Sequence, residues 1–230
     1  MRIIFVLFFI SNITFLYSND TVLISIPVEH NLNMMIAQEI ISEVYKNAGI
    51  DCKFVTYSLE KSMALITKGD IDAELIRAKQ IILNNPEVLI IDVPVLNIET
   101  VAFYKNETIS IESWDDLKNY NVSYEKGIKV TENNLVNCNK LFPANSIKDA
   151  FTLLSKGRVD IVITGKVNGL YNAGLLQIDG LYYSESLSSI ALYHLVNKKL
   201  INIVPLLEEQ LLFIDRESYY TKIINREINK

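Results

Sequence analysis

The chain has 230 residues, half of them hydrophobic, and a formal net charge of −5 at neutral pH. An acidic chain lacks the excess of lysine and arginine that binds nucleic acid or an anionic membrane, so neither is expected as a partner. The two histidines and two cysteines have no metal-ligand spacing, so neither a metal site nor another cofactor is predicted. Beyond the first eighteen residues, no stretch has the ~20 apolar residues that a membrane span requires.

The N-terminus has the pattern of a secretory signal peptide. Arg2 supplies a basic start, the run from Ile3 to Leu16 is mostly apolar, and Ser18 is small enough for the position before cleavage. Leu16 is large for its position in such a signal, and a membrane anchor is the alternative. The pattern favours removal of residues 1–18 and a periplasmic location for the mature protein.

Strand and helix patterns alternate over the next sixty residues. The segments are Val22 to Ile26, Met34 to Asn47, Cys52 to Tyr57, a helix from Ser58 or Ser62 to Gly69, and Ile71 to Ile76. This order is typical of a mostly parallel sheet with helices on its faces. Ligands of such sheets bind beyond the carboxyl ends of the strands, which here carry Glu29, Tyr57 and Arg77.

A helix that ends at glycine and leads into a buried strand occurs twice, at Gly69 and at Gly157. Glycine can adopt the left-handed conformation that commonly follows the end of a helix. Asp72 and Asp160 occupy the same place in the two copies, and we expect them to bond nearby backbone amides rather than a ligand. The repetition predicts two similarly built α/β lobes with a cleft between them.

The second unit opens after Pro94. A strand from Thr100 to Tyr104, a capped helix at Ser113 to Asp116 that Trp114 anchors, and a strand from Tyr120 to Tyr124 are predicted in it. A β-rich run from Ile190 to Val196 and helices from Val204 follow. The chain is therefore expected to cross between the units near residues 98–105 and 185–195, and its C-terminal helices to return to the first unit.

Five motifs in this order resemble the amino-acid-type bacterial extracellular solute-binding proteins, which have the type II periplasmic binding protein fold. The motifs are Gly69 to Arg77, Trp114 to Leu117, Val122 to Lys129, Leu154 to Asp160, and Tyr193 to Leu195. The resemblance covers essentially the whole mature chain. It implies a small polar solute and two α/β lobes, each a mostly parallel sheet flanked by helices, joined by two hinge crossings. The first lobe would comprise residues 19–100 and 192–230, and the second residues 101–191.

The resemblance also suggests solute contacts on the first lobe. Arg77 corresponds to the arginine that holds the ligand carboxylate in amino-acid-binding relatives, a role that suits a guanidinium fork. Glu74 alternates away from Arg77 along an extended strand, and a structural ion pair is as plausible for it as a ligand contact. Lys61 stands where relatives have a cleft-facing arginine, or it is simply solvated. Tyr57 would stack on the solute or pack, and Glu29 would accept a hydrogen bond.

The second lobe departs from these relatives in two places. In relatives, hydroxyl residues follow the glycine equivalent to Gly127, and backbone amides there receive the solute carboxylate. Gly127 is therefore a predicted contact, but Ile128 and Lys129 follow it here. Relatives that hold an α-amino group have an aspartate where this chain has Gly165, between the predicted contacts Thr164 and Lys166. A buried ammonium without a counter-charge is costly, so an ordinary α-amino acid is disfavoured. Together with Arg77, the two lysines predict an anionic or carboxylate-bearing solute, unless they are only surface charges.

The resemblance therefore predicts a monomeric receptor without catalytic activity that delivers its solute to an ABC transporter permease or a sensor kinase. The alternative is a periplasmic enzyme on the same fold, such as a cyclohexadienyl dehydratase-like lyase. Such an enzyme requires a general acid in the cleft, and Glu29 and Glu74 are the candidates. For the receptor, we expect Arg77→Ala to abolish solute binding and to leave the fold intact.

Overall fold

The structure is a computed structural model that describes residues 21–28, 31–79, 85–138 and 140–230. The predicted signal peptide, residues 1–18, lies outside these ranges. In the described ranges, no helix combines the length and the apolar character needed to cross a bilayer.

The described residues form ten strands in one sheet, with helices on both faces. The strands are β1 (Val22–Pro27), β2 (Cys52–Tyr57), β3 (Ala73–Ala78), β4 (Val88–Ile90), β5 (Leu96–Tyr104), β6 (Val122–Glu125), β7 (Leu141–Ala144), β8 (Ile161–Gly165), β9 (Tyr182–Tyr183) and β10 (Ser188–Asn197). The α-helices are α1 (Leu32–Asn47), α2 (Leu59–Lys68), α3 (Lys129–Asn134), α4 (Ile147–Ser155), α5 (Lys166–Leu175), α6 (Val204–Leu212) and α7 (Arg216–Ile228). Short 3₁₀ helices span Trp114–Asn119 and Lys198–Ile203.

Two long antiparallel strands, β5 and β10, join the two parts of the sheet. The strand order is β2-β1-β3-β10-β5-β8-β6-β7, with β4 added to β10 and β9 to β5. Strands β1, β2 and β3 are parallel to one another, as are β6, β7 and β8. The crossings predicted near residues 98–105 and 185–195 thus correspond to β5 and β10.

The strand register places a gap between the two parallel groups. The carboxyl end of β3, at Ala78, lies opposite Leu192, which pairs with Leu96 at the start of β5. The carboxyl end of β8, at Gly165, lies opposite Thr100 further along β5. The two carboxyl edges therefore face each other across about 13 Å of β5, at the usual rise per strand residue.

The hydrophobic core divides in the same way. One cluster packs α1, α6 and α7 against the first parallel group, with Ile40, Leu75, Leu207 and Ile223 fully buried. The C-terminal helices therefore cover the first group. Two other clusters lie on opposite faces of the second group, and Trp114 packs against one of them and donates a hydrogen bond to the Leu187 carbonyl at 2.9 Å.

Glycine and serine set the ends of α2 as the sequence predicts. The Ser58 side chain caps the helix, accepting a hydrogen bond from the Lys61 amide at 3.4 Å. Gly69 follows the helix with φ of +80°, and Gly157 follows α4 with φ of +65°. These left-handed conformations are readily accessible only to glycine, and they turn the chain into β3 and toward β8.

The two repeated aspartates stabilise equivalent strand junctions. Asp72 accepts a hydrogen bond at 2.7 Å from the amide of Leu23, on the neighbouring strand β1. Asp160 accepts one at 2.8 Å from the amide of Asn121, just before the neighbouring strand β6. The prediction that these carboxylates bind backbone amides is confirmed.

Helix α5 passes close to β5 at Gly169. A Cβ atom added at Gly169 would lie 2.1 to 2.9 Å from three atoms of the Phe103 ring, which is fully buried. That ring also packs edge-on against Phe151, at 5.3 Å between centroids. We expect Gly169→Ala to lower the free energy of unfolding by about 1–3 kcal/mol, because a buried ring must move, and urea denaturation measures the loss.

Gly174 on the same helix supplies the matched control. An added Cβ there meets the terminal Cδ1 atom of Ile228 at 2.3 Å. A terminal methyl can rotate aside, and both substitutions share the same gain in helix propensity. Gly174→Ala should therefore be the more stable variant. Equal free energies of unfolding in the two variants would show that the Phe103 ring moves aside at little energetic cost.

Candidate functional site

A buried ion pair lies at the carboxyl end of β3. The Arg77 and Glu74 side chains are 9% and 2% exposed. Arg77 Nε donates to Glu74 Oε1 at 2.7 Å, and Nη2 lies 2.5 Å from the same oxygen. Nη2 also donates to the Leu59 carbonyl at 2.9 Å, at the start of α2. The predicted solute-binding arginine thus already has a carboxylate partner within its own strand.

A β-bulge brings the two side chains together. The pairing of β3 with β10 shifts by one residue between Glu74 and Arg77, so two residues of β3 oppose the single residue His194. An extra residue in one strand breaks the strict alternation of side chains. Residues three apart, which would point to opposite faces of a regular strand, can then meet. The expectation that Glu74 points away from Arg77 was wrong, and the structural ion pair is observed.

Two serines lie beside this pair. The hydroxyls of Ser25, on β1, and Ser62, on α2, are 2.5 Å apart, and both side chains are buried. Burial raises the pKa of Glu74, while Arg77 and the nearby Ser62 hydroxyl oppose that rise by favouring the ionised form. Glu74 Oε2 is buried and makes no hydrogen bond to a described residue with normal geometry.

His194 lies directly behind the bulge and is fully buried. Its Nδ1 is 3.0 Å from the Leu75 carbonyl, and its Nε2 is 2.9 Å from the Tyr45 hydroxyl. A carbonyl only accepts, so Nδ1 carries the proton and Nε2 accepts from Tyr45. Burial lowers the pKa of His194 to about 4. The ring is therefore neutral near pH 7 and holds β10 against β3.

Lys61 and Tyr57 lie at the same edge of the first parallel group. Lys61 is exposed on the first turn of α2, with Nζ 4.7 Å from the centroid of the Tyr57 ring at the end of β2. No ion pair joins Lys61 to a residue that the structure describes. A cavity of about 420 Å³ opens beside them, lined by Pro27, Val28, Ser58, Leu59 and Glu60.

A backbone amide in the loop after β6 is hydrogen-bonded to a side chain of the following helix. Gly127 has φ of +88°, and its amide donates a hydrogen bond to Glu132 Oε1 at 2.9 Å. The amide predicted to receive the solute therefore binds a carboxylate of this chain. The neighbouring Lys129 side chain lies outside what the structure describes, and so does Glu29 on the first lobe.

Lys166 follows β8 and lies between two carboxylates. Its Nζ is 3.7 Å from Glu99 Oε2 on β5 and 3.5 Å from Glu217 Oε1 on α7. It also lies 5.5 Å from the centroid of the Tyr183 ring. Thr164, the residue predicted to act with it, is buried on β8. The positive charge of Lys166 is thus offset by two carboxylates of this chain. The Lys166 side chain also connects the second parallel group to α7.

The structure gathers Arg77, Glu74, Tyr57 and Lys61 at one edge and Gly127, Thr164 and Lys166 in the other parallel group. The sequence interpretation missed the roles of Ser25, Ser62 and Glu132. A polar Ser25 inside an apolar strand was an available signal, whereas the contact of Glu132 depends on loop geometry. In the described part of the chain, no cluster of histidine, cysteine, aspartate or glutamate could hold a metal ion.

Solved structures of solute receptors have a similar fold. The L-cystine solute receptor of Neisseria gonorrhoeae, in its unliganded open conformation, superposes with a TM-score of 0.66 at 16% identity, over 91% of this chain and 93% of that one. The second substrate-binding domain of a putative amino acid ABC transporter from Streptococcus pneumoniae gives 0.62 at 16% identity, over 91% and 100%. The GluR0 ligand-binding core in complex with L-glutamate gives 0.54 at 13%, over 90% and 97%.

This chain has the two-lobed fold of the periplasmic binding proteins. The predicted fold is confirmed, and the gap between the carboxyl edges corresponds to a cleft between two lobes. At these identities the likeness concerns the fold alone. No known family profile matches the chain, and no curated protein matches it in sequence.

Proposed function

We propose that this chain is a periplasmic solute-binding protein that traps a small polar solute between two lobes and presents the closed form to an ABC importer or a sensor. The facing carboxyl edges of β3 and β8 carry this proposal, because ligands of open α/β sheets bind beyond such edges. The lobes would comprise residues 19–100 with 192–230, and residues 101–191. Residues 97–99 and 189–191 would form the hinge of a monomeric clamp.

The solute is proposed to carry a carboxylate, and the ion pairs of the described residues support one position for it. Arg77 is paired with Glu74, and Lys166 lies near Glu99 and Glu217. Lys61 has no such partner among the described residues and lies beside a cavity large enough for a small metabolite. We therefore place the anionic group at Lys61, next to the Tyr57 ring.

The proposed role is binding without catalysis. The enzyme alternative required Glu29 or Glu74 as a general acid, and Glu74 is almost fully buried in its pair with Arg77. Similar solved structures are binding proteins rather than enzymes. A receptor closes by rotation of its lobes and returns its solute chemically unchanged.

Native mass spectrometry of freshly purified protein tests this function. A clamp that closes on its solute should retain a small molecule, and thermal-shift screening with organic acids should raise the melting temperature. If no molecule is retained and no organic acid stabilises the protein, the proposal is wrong. Conversion of a bound acid to a product would instead identify an enzyme.

The position of the carboxylate has a separate test. Lys61→Gln should weaken binding of a stabilising carboxylate roughly fivefold, the ratio expected for one exposed ion pair. Lys53→Gln is the matched control, because Lys53 is exposed on the same strand as Tyr57 but lies near its other end. Isothermal titration calorimetry measures both. Equal affinities in the two variants would remove Lys61 from the site.

A further inference from the structure

Glu74 and the Leu59 carbonyl engage two of the three guanidinium nitrogen atoms of Arg77. The pairing uses Nε and Nη2 of the guanidinium, and Nη2 is further bound to the Leu59 carbonyl. Nη1 makes no hydrogen bond to a described residue. A solute that reaches Arg77 can therefore accept hydrogen bonds only from Nη1. It does not meet the two parallel N–H donors that a carboxylate prefers.

The charge around this donor is also unfavourable for an anion. Arg77 and Glu74 together have no net charge when both are ionised. The second oxygen of Glu74 is buried and accepts no hydrogen bond of normal geometry from a described residue, although the nearby Ser62 hydroxyl favours the ionised carboxylate. In a weakly polar interior, a second carboxylate brought to this place would be repelled by Glu74.

We propose that Glu74 is a specificity-determining residue that reserves Arg77 for an uncharged acceptor, such as an amide, keto or hydroxyl oxygen. This inference rests on the proposed function, in which Lys61 binds the one carboxylate of the solute. The preferred solutes are then monocarboxylic acids with a neutral polar group at the other end. Dicarboxylates are discriminated against by an unfavourable contact, a common basis of specificity.

Matched pairs of solutes test this selectivity directly. Each pair consists of a linear dicarboxylate and its monoamide: succinate and succinamate, glutarate and glutaramate, adipate and adipamate. Titration calorimetry with the unmodified chain should show tighter binding of the monoamide by about tenfold in the pair whose length fits. This comparison needs no variant, so it remains decisive if a substitution at Glu74 prevents folding.

Glu74→Gln provides the second test. The glutamine keeps a carbonyl oxygen that can accept from Arg77 but removes the negative charge, so the guanidinium can attract a carboxylate. The preference should change in favour of the dicarboxylate by about tenfold relative to the unmodified chain. Asp70→Asn is the matched control, because Asp70 is exposed beyond the end of α2 that lies opposite the cavity, and it does not line the cavity. It should leave the ratio unchanged.

The outcomes separate this inference from the proposed function. If dicarboxylates bind the unmodified chain as tightly as their monoamides, Glu74 has no such role and the receptor function stands. An equal change of the ratio in Asp70→Asn would attribute the effect to overall charge and would also overturn the inference. If no member of any pair binds, the carboxylate solute class fails together with this inference.

Discussion

Replacing Arg77 by methionine is expected to lower the free energy of unfolding by about 3–5 kcal/mol, because it leaves the buried Glu74 carboxylate without its partner. Urea denaturation at neutral pH measures this loss. The sequence alone suggested that Arg77 could be replaced without consequence for the fold. Its burial and its bond to the start of α2 reverse that expectation.

The double variant Arg77→Met/Glu74→Gln is the control. It removes both charges, so most of the lost stability should return, as expected when a buried ion pair is replaced as a unit. If the double variant is no more stable than Arg77→Met, the unpaired carboxylate is not the cause of the loss. The pair would then contribute mainly through packing.

Acid should destabilise this protein through His194. Its pKa is lowered from 6.5 to about 4 in the folded chain, so between these pH values the unfolded chain binds the proton and the folded chain does not. Stability is then fully present above pH 6.5 and falls as the pH drops toward 4. The loss from this one group is about 3 kcal/mol, at 1.36 kcal/mol for each pH unit.

His194→Gln isolates this contribution from that of the carboxylates. The variant should be less stable at pH 7, because the ring and its two hydrogen bonds are lost. It has no imidazole to protonate, so its deficit should shrink by about 3 kcal/mol between pH 7 and pH 4. A constant difference across this range, measured by urea denaturation at each pH, would show that His194 is not the titrating group.

The sequence was sufficient for the architecture because local patterns determine it. Alternating strand and helix signals, the glycines at 69 and 157, and the β-rich runs at both crossings each depend on neighbours in the chain. Asp72 and Asp160 bind backbone amides as expected, but these amides, of Leu23 and Asn121, are 49 (72 − 23) and 39 (160 − 121) residues away in the chain.

The candidate site was less predictable because its contacts are not local. A bulge in β3, which depends on pairing with β10, joins Glu74 to Arg77. Lys166 lies near Glu99 and Glu217, which are 67 (166 − 99) and 51 (217 − 166) residues away in the chain. Residue type therefore predicted that charges would lie near the cleft, but it did not predict which of them would be neutralised.

Arg77 lies close to the proposed hinge, and this position affects how far it would move when the lobes rotate. Arg77 pairs with Tyr193, two residues along β10 from the hinge residues 189–191, whereas β7 is four strands beyond β10, at the far edge of the sheet. In a rotation, displacement grows with distance from the axis. A turn that barely shifts the guanidinium would carry β7 through a much wider arc. The outer strands would then report lobe closure by a large movement, while the side chain of Arg77 stays almost in place.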